Sequence, residues 1–542
     1  MRKLRVTLLG LMLPALSWSC RESIQKEVSQ PNIIFIMSDD HAFKAISAYE
    51  GGINNTPNID RIADEGVLFT HGYVNNSICA PSRAAMLTGK HSFANGKVDN
   101  VHPFDWNQNN IAKELQRAGY ETALIGKIHL NGLPQGFSYS NVLVGQGQYY
   151  NPDFIENGNP KRYHGYCTTI TTNIAMDWLK SGRKKDKPFF LMYHQKAPHR
   201  SWMPEPKYMG MFDDQHFELP KNFYDNYDGR VAAKHHEMGI YEHMDLAYDL
   251  KMLDEKQEIP SHYRKHAQRN YNRMDSTQRA QWDAYYAPLI KEFKEKNLKG
   301  KALAEWKYDR YMKDYLSTIQ SVDDGVGELL DYLDAEGLAE NTIIVYTSDQ
   351  GFYLGEHGWF DKRFMYEESF RTPILMKYPK EIKSHTIENK LVQNIDFAPT
   401  FLDYANIDIP KDMQGESFRS LLNGSDHKWR NSIYYTYYEY PGEHSVERHH
   451  GIRTERYKLI HFYYDSDTWE MYDMENDPEE MHNLYGNPSY VRIQENLHMK
   501  LDSLREKYGD SDRLDQHYID RYLSSKQYKR RVKIREKMLT KK

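Results

Sequence analysis

Residues 31–41 read PNIIFIMSDDH, and residues 342–351 read TIIVYTSDQG. Both are apolar, β-branched runs that break off at Ser-Asp. Apolar runs this continuous suit strands covered on both faces, as in a mostly parallel sheet. In such a sheet, ligands sit beyond the carboxyl ends of the strands. Two strands that end alike bring Asp39, Asp40, Asp349 and Gln350 to one edge. Three carboxylates crowded together repel unless a cation joins them. Their hard oxygen donors suit a divalent ion, Ca²⁺ or Mg²⁺. One Asp at a strand end reads as a turn or a cap, whereas the matched pair reads as a metal site.

Working outward, further apolar runs at 122–125, 189–194 and 374–378 alternate with amphipathic stretches, which predicts an α/β layered sheet sandwiched by helices over residues 31–424. Helices are expected at 57–65, after Thr56 with Pro57 in the first turn, at 110–118 before Gly119, and at 316–333. Residues 202–307 are rich in Tyr, Lys, Glu and His with no strand pattern, and read as a helical insertion over one face. From 425 to 515, short alternating segments such as 432–438 and 457–462 predict a smaller antiparallel-sheet lobe. The basic tail, 516–542, reads as a solvated helical end. The chain of 542 residues is 39% hydrophobic and 27% charged, a globular composition that calls for more than one lobe. A net charge of -5 gives no sign of a general nucleic-acid binder.

The first residues, MRKLRVTLLGLMLPALSWSC, have a basic start, an apolar run and small residues, the pattern of an export signal ending at Cys20. Cys20 stands where a bacterial lipoprotein is cut and lipidated. The expectation is an exported protein, periplasmic or tethered to the outer membrane of a Gram-negative bacterium, with no membrane contact beyond that anchor. The other two cysteines are Cys79 and Cys167, for which no disulfide is expected. Cys79 lies in SICAPSRAAMLTGKH at the start of a short helix, where unpaired N–H groups favour anions and should ease ionisation of the thiol. Lys127 and His129 in ALIGKIHL, His199 in YHQKAPH and Lys362 in GWFDKR add basic groups near other strand ends. Singly, each reads as a solvated or structural residue. Together they suit transfer of a tetrahedral, multiply charged oxyanion.

In this order, PNIIFIMSDDH, the CAPSR core with LTGKH, GKIHL, the APH turn and SDQG resemble the formylglycine-dependent sulfatases, which share an alkaline-phosphatase-like fold. GIRTERYKLI and ENDPEEMHNL extend the resemblance into the small lobe. It implies that a maturation enzyme oxidises Cys79 to formylglycine (3-oxoalanine), whose hydrate carries two hydroxyls. One attacks sulfur, and loss of a proton from the other expels sulfate. It further implies Asp39, Asp40, Asp349, Gln350 and the modified Cys79 as ligands of one divalent cation, Ca²⁺ or Mg²⁺. Arg83 is implied to steady the formylglycine, Lys127 and Lys362 to hold sulfate, His129 to serve the second step and His199 to assist the leaving oxygen. Gln350 departs from the commoner asparagine, keeping the amide oxygen but adding a methylene.

The loop FDKRFMYE resembles the bacterial N-acetylglucosamine-6-sulfatase branch, with aromatic residues to stack on a sugar and Asp361 and Arg363 to bind ring hydroxyls. The loop EHSVERHHGIR, with His444, Arg448, His449 and His450, is expected to close over the mouth. The expected partner is a sulfated carbohydrate from a glycosaminoglycan or mucin-type glycan. Open beside this are a sulfatase for another sugar position, a phosphatase or phosphodiesterase on the same fold, and a non-catalytic glycan-binding lipoprotein. A cysteine-phosphatase loop would need Arg two residues further from Cys79.

Overall fold

The computed structural model describes residues 30–49, 52–425 and 428–539, with side chains to 533 in the last helix. The export segment and Cys20 lie outside them. Ten strands form the main sheet: β1 (Asn32–Ser38), β2 (Val67–Phe69), β3 (Glu121–Gly126), β4 (Tyr139–Leu143), β5 (Asp153–Glu156), β6 (Asn159–Arg162), β7 (Phe189–His194), β8 (Thr342–Ser348), β9 (Ile374–Lys377) and β10 (Thr386–Glu388). Their order is β10-β2-β9-β8-β1-β7-β3-β4-β5-β6. The central strands β8, β1, β7, β3 and β4 run parallel, while β9 runs antiparallel to both its neighbours.

The continuous apolar runs follow from two separate cores. Ile34 and Ile36 face one core, under α1 (Pro57–Asp64), α4 (Cys167–Asp177) and the 36-residue α7 (Gly300–Ala335). Ile33, Phe35 and Met37 face the other, under α2 (Cys79–Thr88), α3 (Ile111–Arg117) and α8 (Phe397–Tyr404). With both faces covered, strand polarity cannot alternate. Helix α3 is capped as expected, since Asn110 accepts from Lys113 N at 3.1 Å. Thr56 precedes α1 but makes no side-chain cap. Asp323 of α7 accepts from Asn58 N at 3.1 Å and Ile59 N at 2.9 Å instead, pinning the long helix to the start of α1.

The expected helical insertion is helical only from α5 (Arg264–Arg273) and α6 (Ser276–Lys296) onward. Residues 202–262 carry two single turns, Pro206–Tyr208 and Ala232–His235. Four prolines and side chains that bind their own backbone account for this. Asp245, for example, accepts from the backbone N of Ala247, Tyr248, His262 and Tyr263.

The small sheet, β11 (Ser432–Tyr437), β12 (His449–Thr454), β13 (Tyr457–Phe462) and β14 (Thr468–Asp473), is antiparallel throughout. Helices α9 (Val491–Tyr508) and α10 (Asp512–Ser524) cover one face through Leu497, Leu501 and Tyr518, and α11 (Lys526–Leu539) follows. Among the described residues, no helix is long and apolar enough to cross a membrane.

Candidate active site

Strands β1 and β8 are paired in register through Ser38 and Ser348, so Asp39 and Asp349 leave the sheet side by side. Asp40 takes a left-handed conformation, φ 66°, and its N–H donates to Asp349 Oδ1 at 3.1 Å. That turn brings Asp40 back towards its neighbours. All three carboxylates are buried. Burial, with Asp39 and Asp349 alongside, pushes the Asp40 carboxyl up to about 7 even though Lys362 opposes it. Burial and Asp39 push Asp349 up to about 6. Burial would raise Asp39 too, but Lys127, His199 and Arg83 hold it well below the usual range.

These residues fit a divalent cation. Ligand atoms of Asp39, Asp40, Cys79 and His199 lie within 4.8 Å of one another. Asp39 Oδ1 and Gln350 Oε1 are buried without a hydrogen-bond partner. Gln350 turns its amide N–H groups towards Asp40 (2.5 Å) and Asp349 (2.8 Å), so a half-turn of the amide would present its oxygen.

Cys79 is the first residue of α2, an earlier start than sequence pattern suggests, and it is fully buried. Burial raises its thiol against the pull of Lys362 and Lys127. The eased ionisation expected at a helix N-terminus is therefore overturned, and the residue is unsuited to act as a thiolate. Cys167 is buried and free, as is Cys79, and no disulfide joins them. One turn on, Arg83 donates through Nε to Asp349 at 2.8 Å and through Nη1 to Lys127 O at 2.5 Å, with Nη2 3.5 Å from Asp39. It ties α2 to the ends of β1, β3 and β8.

Gly126 makes the turn at the end of β3 with φ 97°, and a Cβ there would meet His194 O at 1.9 Å. That close passage carries Lys127 Nζ onto Asp39, where Gln146 also accepts from it. His129 Nδ1 is buried without a partner, and burial with Lys127 holds the ring neutral. His199 donates from Nδ1 to Arg200 O at 2.7 Å, since a carbonyl only accepts, leaving Nε2 turned to Asp40 at 3.8 Å. Lys362 reaches both Asp40 oxygens, at 2.5 and 2.7 Å. The structure thus gathers Asp39, Asp40, Cys79, Arg83, Lys127, His199, Asp349, Gln350 and Lys362 into one buried cluster, with His129 beside Lys127.

Next to Lys362, Asp361 pairs with Arg363 at 2.8 Å and lies 3.2 Å from His444 Nε2. Burial opposes its charge, yet Arg363, His444 and Lys362 hold it well below the usual range. The other loop expectations change. Trp359, Phe364 and Tyr366 stack on one another and are fully buried, so they offer no face to a sugar. His450 faces Asp515 at 3.9 Å and stacks on Tyr463, under α10 rather than beside Asp361. Arg448 pairs with Asp465, and His449 packs against Tyr435 and Phe462. On and just before β12, pairing and packing take these side chains away from Asp361.

Sequence reasoning missed the supports. Arg200 grips Asp249 through two bonds, at 2.6 and 2.9 Å, and sits 3.4 Å from His444 Nε2. Its place directly after His199 was the available signal. Asn394 donates to Ser82 Oγ at 2.8 Å, and Ser82 donates to Asp349 O. Nothing local marks Asn394, which arrives from a loop more than 300 positions from Ser82.

A buried carboxylate cluster that fits a divalent cation, a side chain at a helix N-terminus facing it, and buried lysines in contact with the carboxylates suit a hydrolase for anionic tetrahedral esters. The chain belongs to the sulfatase family, whose sequence profile matches residues 31–407, and it is a sulfuric ester hydrolase. A second profile, N-sulphoglucosamine sulphohydrolase, C-terminal, matches residues 355–507. An N-acetylglucosamine-6-O-sulfatase of Bacteroides thetaiotaomicron is 49% identical over 510 residues, 93% of this chain and 91% of that protein. A solved structure of a protein bound to its substrate D-glucosamine-2-N,6-O-disulfate superposes with TM-score 0.86 and 48% identity, covering 89% of this chain and 99% of that one. A phosphonate monoester hydrolase of Agrobacterium radiobacter shares the fold at TM-score 0.65 and 20% identity, covering 88% and 96%. Fold alone therefore leaves the ester class open, and the family match settles it as sulfate.

Proposed function

We propose that this sulfatase removes the 6-O-sulfate of N-acetylglucosamine at the non-reducing end of a glycosaminoglycan or mucin-type glycan, using a formylglycine made from Cys79 by a maturation enzyme. The reading rests on the 49% identity, over nearly the whole chain, to an enzyme of that name. A divalent cation, Ca²⁺ or Mg²⁺, would supply Lewis-acid polarisation of the sulfate and of the attacking hydroxyl when bound. Asp39, Asp40, Asp349 and Gln350 would hold it. Lys127, on Asp39, and Lys362, on Asp40, are the ammoniums placed to bind the sulfate oxygens.

One hydroxyl of the formylglycine hydrate attacks sulfur and the bond from sulfur to the sugar oxygen breaks. Burial and Lys127 hold the free His199 ring well below the usual range, and the incoming sulfate would favour its charged form, which gives the Nε2 proton to that oxygen. His129, kept neutral by burial, takes the proton of the second hydroxyl. The carbon–oxygen bond to sulfate then breaks, restoring the aldehyde and freeing sulfate. Arg83 holds α2, and the residue at its start, in place through its bonds to the Asp349 carboxylate and the Lys127 carbonyl. Asp361, Arg363 and His444 form a buried polar triad beside Lys362 that reads sugar hydroxyls. Such a site rejects an isomer sharply, because a missing hydroxyl strands a buried polar group. The N-terminal pattern supports export, so the enzyme meets polymers outside the cytoplasm.

The match to an N-sulphoglucosamine sulphohydrolase profile over residues 355–507 favours a second reading, cleavage of an N-sulfate. The test is a panel of glucosamine and galactosamine sugars sulfated at the 2-, 3-, 4- or 6-oxygen or at nitrogen. Preference for 6-sulfated N-acetylglucosamine is expected. Preference for N-sulfate release or for 4-sulfated galactosamine would defeat the substrate reading.

A further inference from the structure

Helix α11 lies past the end of both family profiles, which stop at 407 and 507. Its exposed residues Lys526, Lys529, Arg530 and Lys533 recur at helical spacing, i, i+3, i+4 and i+7, and so share one face. None has an acidic partner among the described residues. That face spans about 10 Å. Its other side is occupied, since Tyr528 packs on Tyr522 and Arg531 pairs with Glu443. Glu443 adjoins the Asp361, Arg363 and His444 triad. Its carbonyl accepts from Arg363 Nε at 2.9 Å, its carboxylate accepts from Tyr263 at 3.1 Å, and the next residue is His444. Tyr263 leads into α5, where Lys265 and Arg269 are exposed on the rim of an open depression of about 430 Å³. Arg530 is near enough to act electrostatically on His266 of α5.

We propose that the exposed faces of α11 and α5 form one cationic rim that binds the anionic groups of a sulfated glycan beyond the sugar held in the active site. This rests on the reading of the substrate as a sulfated glycan. Two cationic helix faces joined through Glu443 beside the proposed sugar-reading triad are placed to meet a polyanion whose terminal residue that triad holds. An anionic lipid surface suits them less. A surface-bound helix buries an apolar face, and Tyr528 and Arg531, opposite this cationic face, already contact Tyr522 and Glu443.

The test compares the matured enzyme with a variant carrying Lys526→Glu, Lys529→Glu, Arg530→Glu and Lys533→Glu, and with a milder Lys529→Gln/Arg530→Gln variant in case the first misfolds. Binding of a heparin octasaccharide is measured in a Cys79→Ala background, independently of which sulfate is cut. Its affinity should fall about tenfold or more in the quadruple variant at low ionic strength and converge with the parent at high salt. In the intact enzyme, kcat/KM for 6-sulfated N-acetylglucosamine should stay within about twofold while kcat/KM for the octasaccharide falls, as expected where only long-range charge is lost. Failure of the parent to cleave the monosaccharide would refute the substrate reading and leave the binding result to judge the rim. Unchanged octasaccharide affinity in both variants would overturn the proposal. Equal loss on monosaccharide and octasaccharide would do so as well, by making the helix structural. Loss of binding to phosphatidylglycerol vesicles with octasaccharide affinity intact would overturn it in favour of a membrane role.

Discussion

Metal binding to this sulfatase should expel protons, and the cation should stabilise the protein more as pH rises. In the metal-free protein, burial and the neighbouring carboxylates push Asp40 up to about 7 and Asp349 up to about 6. An unfolded Asp loses its proton near about pH 4. Between those values the folded state binds more protons than the unfolded one, so metal-free stability falls from about pH 4 to about pH 7 and is flat above. For Asp40 alone, a rise of about three units is worth about 4 kcal/mol at the top of that window. Over a chain of this length, at about 2 cal/mol/K per residue, that is about 4 °C in Tm. A cation that needs the ionised carboxylates removes the penalty. Thermal unfolding in chelator and in excess Ca²⁺ should therefore show a larger difference at pH 8 than at pH 5. Calorimetric titration in buffers of different ionisation enthalpy should detect one to two protons released at acidic pH and close to none at pH 8. Asp40→Asn should remove about half of this proton release at pH 5, leaving the part due to Asp349. Equal affinity and no proton release at pH 5 and pH 8 would refute the reasoning.

Cys79→Ala should abolish turnover by several orders of magnitude, as loss of a nucleophile does, with Tm near that of the parent; mass spectrometry of the Cys79 peptide after expression with a maturation enzyme checks the modification. Glu470, buried and accepting from Tyr366 and Tyr472 at 2.7 Å each, is pushed by burial up to about 7. Its folded pKa lies above the unfolded value, so its contribution to stability fades as pH rises from about 4 to about 7. Glu470→Gln should flatten that decline, and a Tm–pH profile identical to the parent would contradict the assignment.

The sequence made the strand-end cluster legible because its information is local: two apolar runs, each ending in Ser-Asp, and a register pairing Ser38 with Ser348. The two covered faces of β1 and the cap of α3 were legible for the same reason. What failed was set by distant packing. Cys79 sits where a helix start favours a thiolate, but the cost of burial exceeds that pull, and burial cannot be read from a helix start. The aromatic residues of FDKRFMYE carry the composition of a sugar platform yet stack into the wall between the lobes. His450 differs from His444 by its place on β12, which turns it under α10. Residues 202–262 lacked a strand pattern, but its absence did not imply helix, since buried carboxylates such as Asp245 build irregular structure through side-chain bonds to the backbone.

Charge arithmetic at the cluster bears on what a cation would do there. Asp39, Asp40 and Asp349 bring three negative charges when ionised, and Arg83, Lys127 and Lys362 bring three positive ones in direct contact with them. A divalent ion in this neutral set leaves two positive charges. On the proposed mechanism, a sulfate monoester contributes one negative charge and the ionised nucleophilic hydroxyl a second, while protonated His199 adds a positive one, so the loaded site keeps one net positive charge. Isolated charges are strongly disfavoured in such an interior, so the cation creates the demand that an anionic ester meets. That demand holds for any anionic tetrahedral ester, and it is the family match that assigns sulfate.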